Sequence, residues 1–268
     1  MAVAGTVGFD SLPAHAVDFE IQEATVEKGE IELEYRGAVF DGQPKQSIVE
    51  EEEEEDEEEA PLDHSHDVEL QLSLTNRFML SFTGVMDQPV DEDFRLSVAE
   101  VEVQYELFER QHSALSLQFE YEFATIGHTP DEFSFGPLIE HWSGPFRTTV
   151  NLFLTGQAGD AVETDAPGFE YALQFKGDLS KRFGLGVEAF GEIEDLSNAG
   201  SFDDQEHYAG PMLYLSLSDD NDDHDADQER SAKAERNGPA VSFSAGVLFG
   251  LTDITSDQAY RLNAFVEF

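Results

Sequence analysis

Almost the whole chain alternates apolar and polar residues with a period of two. That constrains the fold more than any other feature, because only an extended strand sends neighbouring side chains to opposite faces. Helical periodicity is nearly absent. Counting alternating runs bounded by turn residues predicts about twelve strands: 29–40, 67–75, 78–86, 94–107, 114–124, 132–141, 147–156, 168–177, 183–194, 207–217, 240–250 and 258–268. Most run about 9 to 12 residues, more than the soluble mode of about 5 to 6 and near the roughly 9 to 11 that cross a bilayer when tilted.

Alternation fits a soluble sandwich as well as a membrane barrel, since each strand has one apolar and one polar face in both. The connections separate the two. If the first strand runs outward, every second connection lies on one side. That set is 76–77, 108–113, 142–146, 178–182 and 218–239, and four of its five members are short. With Arg147 at a strand edge it carries Arg77, Arg110, Lys181, Arg182, Arg230, Lys233 and Arg236, eight of the fourteen basic residues. The other set is 41–66, which holds the run Glu51 to Glu59, then 87–93, 125–131, 157–167, 195–206 and 251–257; Lys45 is its one basic residue. A sandwich gives no reason for such sidedness, whereas a barrel with short periplasmic turns and longer outer loops does.

The closing strand carries a resemblance. Tyr260, Leu262, Ala264, Val266 and Phe268 alternate with mostly polar neighbours, Arg261, Asn263, Phe265 and Glu267, and end on an aromatic ring. This resembles the C-terminal signature of Gram-negative outer-membrane β-barrels, and the pattern over 29–268 is similar to small porin-like barrels of proteobacteria. The resemblance implies a bacterial outer-membrane location, contact with outer-membrane lipid, and recognition of the last strand by the barrel assembly machinery as an insertion signal. The expected fold is all-β: a closed antiparallel up-and-down transmembrane barrel of about twelve strands, spanning 29–268, with an acidic extracellular loop at 41–66 and an acidic periplasmic connection at 218–239. Residues 1–28 read as a leader and N-terminal segment. Ala14-His15-Ala16 fits a small-residue cleavage site of an export signal, the alternative being a polar leader.

With the apolar parity outward, the inward positions are acidic. Glu30, Glu32, Glu34, Glu69, Glu100, Glu102, Glu120, Glu122, Glu170 and Glu188 line the lumen against Arg36, Lys176 and Arg261. So many carboxylates need either water and counter-cations or a network of protons and salt bridges. Acidic rings favour cations, so the expected function is a passive, cation-preferring channel for small solutes. The alternatives are a non-conducting envelope scaffold, a surface barrel that binds divalent cations, and a soluble acidic β-protein. A chain with 14 Lys+Arg against 58 Asp+Glu does not suit nucleic acid. No cysteine is present and no apolar run reaches transmembrane-helix length.

Other chemistry is sparse. Asp63, His64, His66 and Asp67 form a tract that could ligate a divalent metal such as Zn or Cu. No resident cofactor is expected beyond loosely held Ca²⁺ or another divalent cation. The stretch Ser218 to Glu229 is rich in oxygen ligands, but an EF-hand frame starting at Asp219 puts His224 where glycine belongs and Arg230 at the bidentate position. No G-x-S-x-G, H-E-x-x-H, P-loop or dinucleotide fingerprint occurs, and no enzyme is predicted. A lipid hydrolase on the outer wall would need a serine and an orienter beside His141 or His207, which read instead as interfacial residues.

Overall fold

The computed structural model describes residues 19–42, 61–126, 129–159, 161–162, 164–217 and 239–268. The acidic run Glu51 to Glu59 and the Ser218 to Glu229 stretch lie outside the described residues. Twelve strands follow in order: β1 (Ile31–Asp41), β2 (Leu62–Ser73), β3 (Phe78–Pro89), β4 (Arg95–Arg110), β5 (Ser113–Ala124), β6 (Asp131–Ser143), β7 (Phe146–Ala158), β8 (Gly168–Asp178), β9 (Phe183–Ile193), β10 (Glu206–Ser216), β11 (Ala240–Gly250) and β12 (Gln258–Glu267). Each pairs antiparallel with its sequence neighbours, and β12 returns to β1 to close the barrel. The closing register sets Leu33 opposite Val266 and Tyr35 opposite Ala264, and the Phe268 N–H donates to the Ile31 carbonyl at 2.9 Å. Closure pairs the strand edges that hydrocarbon cannot solvate.

The parity is that of a membrane barrel. Leu33, Val187 and Leu262 are 43%, 53% and 50% exposed, while Arg36, Glu69 and Glu102 are at most 1% exposed. Apolar side chains therefore form the outer wall and charged ones point inward, the reverse of a soluble core. Among the described residues no helix is long and apolar enough to cross a membrane, which has no bearing on a barrel. Leu117, opposite Pro137 and Tyr105 on the outer wall, tests the assignment. Leu117→Arg should lower the stability of the refolded barrel in lipid by about 2–4 kcal/mol, read from urea titration; an unchanged midpoint would place this face in water.

Two local features carry sequence logic. β6 and β10 each contain a Gly-Pro pair, Gly136-Pro137 and Gly210-Pro211. Proline has no N–H to give to a ladder, and the β6–β7 pairing skips from Phe135↔Leu154 to Leu138↔Asn151. Beside it, a Cβ on Gly136 would overlap the Leu152 carbonyl, so the neighbouring backbone can approach only a glycine. At the other feature, Gly29 takes φ +89°, in the left-handed region that suits glycine, and the Glu30 N–H closes the turn onto the Glu27 carbonyl at 3.2 Å. That turn reverses the chain out of the barrel interior and into β1.

The interior is where the chain departs most from a plain barrel. Residues 19–28 run through it. Phe19 packs with Phe40, Phe190 and Tyr208 near the end that bears the acidic connections, and Ala24 packs with Ala114 and Leu138 further down. From Phe19 to Lys28 the N-terminal segment is thus an internal strap.

Candidate functional site: the barrel interior

Strand register decides which inward side chains face one another. Glu34 lies opposite Glu69, Glu100 opposite Glu122, Glu102 opposite Glu120, and Gln104 opposite Gln118. Directly opposed like charges repel, so the β1–β5 wall needs compensation. Part of it comes from Arg36. Its Nη1 lies 2.6 Å from Glu20, 2.6 Å from Glu69 and 3.3 Å from Glu34, and its Nε lies 3.5 Å from Asp67. One guanidinium thus serves four carboxylates. On the far wall Arg261 Nη1 meets Glu188 at 2.6 Å, and the guanidinium carbon stands 5.0 Å from the centre of the Phe190 ring. Tyr214 Oη and Gln174 Nε2 donate to the other Glu188 oxygen at 2.7 and 2.9 Å.

The compensation is incomplete. Both carboxylate oxygens of Glu100, Oε1 of Glu69 and of Glu102, and Oε1 of Gln118 are buried with no hydrogen-bond partner among the described residues. Acceptors in that state are costly unless a donor or cation reaches them.

The strap is held mainly through its backbone. Asn151 accepts from the Gln22 N–H and donates to the Gln22 carbonyl, both at 2.9 Å. Glu140 accepts from the Ala24 N–H at 3.0 Å and Glu106 from the Val26 N–H at 3.1 Å. Gln104 donates to the Glu23 carbonyl, Ser116 to the Ala24 carbonyl, and Arg261 to the Phe19 carbonyl. Side-chain anchors add to these: Gln22 Nε2 donates to Glu102 at 3.0 Å, and Arg147 pairs with Glu23 at 2.7 Å. Beside the strap, toward the acidic end, a vestibule is lined by Phe19, Phe190, Tyr208, Glu120, Glu122 and Glu170.

The sequence-derived lumen residues all have the inward parity, but they do not form one ring. Glu34, Glu69, Glu100, Glu102, Glu120, Arg36, Glu188 and Arg261 surround the strap, with Glu122 and Glu170 at the vestibule. Glu30 and Glu32 sit with Glu267 at the short-turn mouth, with carboxylate oxygens within 4.8 Å of one another. Lys176 lies 3.6 Å from Asp178 and 5.0 Å above the Tyr214 ring. Gln104, Gln118, Glu140, Asn151 and the strap itself were missed. Uncharged even-numbered Gln22, Ala24 and Val26 between Glu23, Thr25 and Glu27 were the available signal.

The Asp63–Asp67 tract is part of β2 and not of a loop, so alternation splits it. His64 and His66 face outward, stacked 6.0 Å apart, and His66 Nδ1 meets Tyr35 Oη at 2.7 Å. Asp67 faces inward toward Arg36, and Asp63 lies 3.5 Å from His64. The four do not converge on one point. His141 meets Ser113 Oγ at 3.0 Å on the outer wall, and no carboxylate or amide orients its ring among the described residues. His207 bonds Tyr171 Oη and Gln205 beneath Phe202, as an interfacial packing residue. The C-terminal Tyr260, Leu262 and Phe268 are exposed on the outside of the barrel end, and Ala264 and Val266 share their face.

In the 195–206 connection, Asp195 is held below the usual carboxylate range by bonds from the Ser197 hydroxyl and N–H and from the Asn198 N–H. Asp204 is held low by the Ser201 N–H and hydroxyl. Depressed acids contribute stability above their unfolded pKa and lose it as pH falls through the folded one, so these turns persist in mildly acidic surroundings.

No protein-family model matches the chain, and no curated protein sequence matches it. Among solved structures it is similar to the KdgM porin, 11% identical over 88% of this chain and 98% of that one, with a TM-score of 0.52. A KdgM porin in complex with disordered oligogalacturonate matches at 10% identity over the same shares, with a TM-score of 0.52. The NanC porin matches at 9% identity, again over 88% and 98%, with a TM-score of 0.52. At these identities the likeness is one of architecture: the chain has the fold of an outer-membrane porin, a closed barrel of twelve antiparallel strands with an apolar outer wall.

Proposed function

We propose that the chain is a narrow outer-membrane channel that prefers small cationic solutes, with its passage constricted by residues 19–28. The observation that supports the preference most is the surplus of inward carboxylate over guanidinium: Arg36 alone is shared by Glu20, Glu34, Glu69 and Asp67, while Glu100 has no donor on either oxygen among the described residues. A low-dielectric wall with fixed negative charge raises the local concentration of cations and opposes anions. The porin fold supports passage, and the acidic lining of the vestibule, Glu120, Glu122 and Glu170, supports entry of cations.

The experiment is a planar-bilayer recording under a salt gradient. The expected result is a small single-channel conductance with a cation-selective reversal potential; an anion-selective potential would refute the role given to the glutamates. Glu102→Gln should keep folding intact, because an amide oxygen can still accept from Gln22 and Gln118, while lowering the cation-to-anion permeability ratio. Loss of folding in that variant would instead make Glu102 a structural group.

A second reading has its own observation. The strap crosses the interior and is bonded to both walls, which favours a closed barrel acting as an envelope scaffold. Absence of any conductance in the same recordings would select it.

A further inference from the structure

We propose that the barrel interior is a binding site for extended oligopeptides that carry lysine or arginine, and that residues 19–27 occupy it in cis. This deepens the channel reading and rests on it for the idea of passage, although binding itself is measured without conduction.

The contacts are what assign the site to a peptide. Side chains of the wall read the main chain of the strap and so address groups that every peptide has. The N–H groups of Gln22, Ala24 and Val26 go to Asn151, Glu140 and Glu106. These are alternate residues, and alternate N–H groups share one side of an extended chain. The carbonyls of Gln22, Glu23 and Ala24 go to Asn151, Gln104 and Ser116. Asn151 offers both halves of its amide to one residue, as a neighbouring strand would. Recognition by main-chain pairing is how extended peptides are bound elsewhere, with pockets for side chains setting the preference.

The side chains of the strap fit less well than its backbone. It is acidic at Glu20 and Glu23 and needs Arg36 and Arg147 to hold these groups. Meanwhile Glu100, Glu102 and Glu69, which are at most 2% exposed, keep carboxylate oxygens with no hydrogen-bond partner among the described residues. A chain with ammonium or guanidinium groups would supply donors that the strap does not. The cis segment therefore holds the place of a ligand without matching the charge of the wall. Its tether gives it a high effective concentration, against which a free peptide has to compete.

Trp142 is the single tryptophan of the chain and packs against the Ala24, Ala114 and Leu138 cluster, so its fluorescence reports exchange of the strap. The full-length barrel in detergent is titrated with the blocked pentapeptide Lys-Ala-Lys-Ala-Lys and with the same peptide N-methylated at alternate residues. The expected result is a saturable change in Trp142 emission with the first peptide and none with the second, which keeps charge and length but lacks the N–H pattern. Phe19→Ala removes a ring that closes the strap against Phe40, Phe190 and Tyr208, and should lower the midpoint by roughly tenfold as the tethered competitor loosens. Equal responses to both peptides would overturn the proposal by leaving charge as the only feature recognised; so would no response to either, or a midpoint that is not lowered in Phe19→Ala. If that variant does not fold, the comparison of the two peptides on the unsubstituted chain decides alone. Peptide binding without conductance in bilayers would retain the site and reject the passage, whereas conductance without peptide binding would do the opposite.

Discussion

A barrel lacking residues 1–28 should fold, insert and conduct several-fold more than the full chain, with larger solutes now admitted. The reason lies in the division of labour between wall and strap. The barrel closes through the ladders of β1 with β12 and with β2, and before Ile31 the backbone adds only the bonds of Gly29 and Glu30 to Ser73, which the shortened chain keeps, and the Glu30 to Glu27 turn bond. Wall integrity is therefore independent of the strap. The strap, in contrast, places Phe19, Gln22, Ala24 and Val26 at 6% exposure or less inside the lumen. Removing it exposes Asn151, Glu140, Glu106 and Gln104 to water, which satisfies polar groups nearly as well as the lost peptide bonds do. Net stability should fall little, because each exchanged hydrogen bond is worth only about 0.5–1.5 kcal/mol and ordering of the strap is no longer required. The measurement is single-channel conductance of the two forms at matched salt, with liposome-swelling rates for solutes of graded size. Equal conductance would mean that ions do not follow the path occupied by Phe19 to Lys28.

Strand count, order and facing were legible because the apolar outer wall leaves an unbroken period-two record: Leu33, Val187 and Leu262 could face hydrocarbon only if Glu34, Glu188 and Arg261 faced in. The strand boundary at Asp63–Asp67 was harder. A cluster of His and Asp has weak strand propensity, and what holds it in β2 is pairing on both sides, Asp67 to Arg36 of β1 and to Val85 of β3, which is invisible until both neighbours are in place. The strap was illegible for a related reason. Its bonds span long sequence separations, Gln22 to Asn151 and Ala24 to Glu140, and its short alternation at Gln22, Ala24 and Val26 does not name the side chains that hold it. Polar inward residues such as Gln104, Gln118 and Asn151 carried no charge signal, yet they do much of the positioning.

Arg36→Leu measures how dry the wall is around this one guanidinium, and the two physical limits differ widely. In a dry interior, removing one partner of a buried charge network strands the others. Glu20, Glu34, Glu69 and Asp67 would lose their common cation, and the barrel should be destabilised by about 3–5 kcal/mol. In a water-filled interior the same contacts are screened, and the loss should stay within about 1 kcal/mol. Arg36 is 1% exposed and Glu69 and Asp67 are 0% exposed, so the expected result is the large value. Arg36→Lys keeps the charge but replaces a planar fork by a single ammonium, which cannot reach four carboxylates at once; it should fall between the two. The readout is the urea midpoint of refolding into lipid, followed by Trp142 emission. Leucine keeps the apolar stem of the side chain and removes the guanidinium, so the loss reports mainly the missing charge. The variant also releases Glu20 at 2.6 Å from Nη1, one of the strap's anchors. Conductance should consequently rise in Arg36→Leu even as stability drops, a pairing of effects that a purely structural arginine in the wall would not produce.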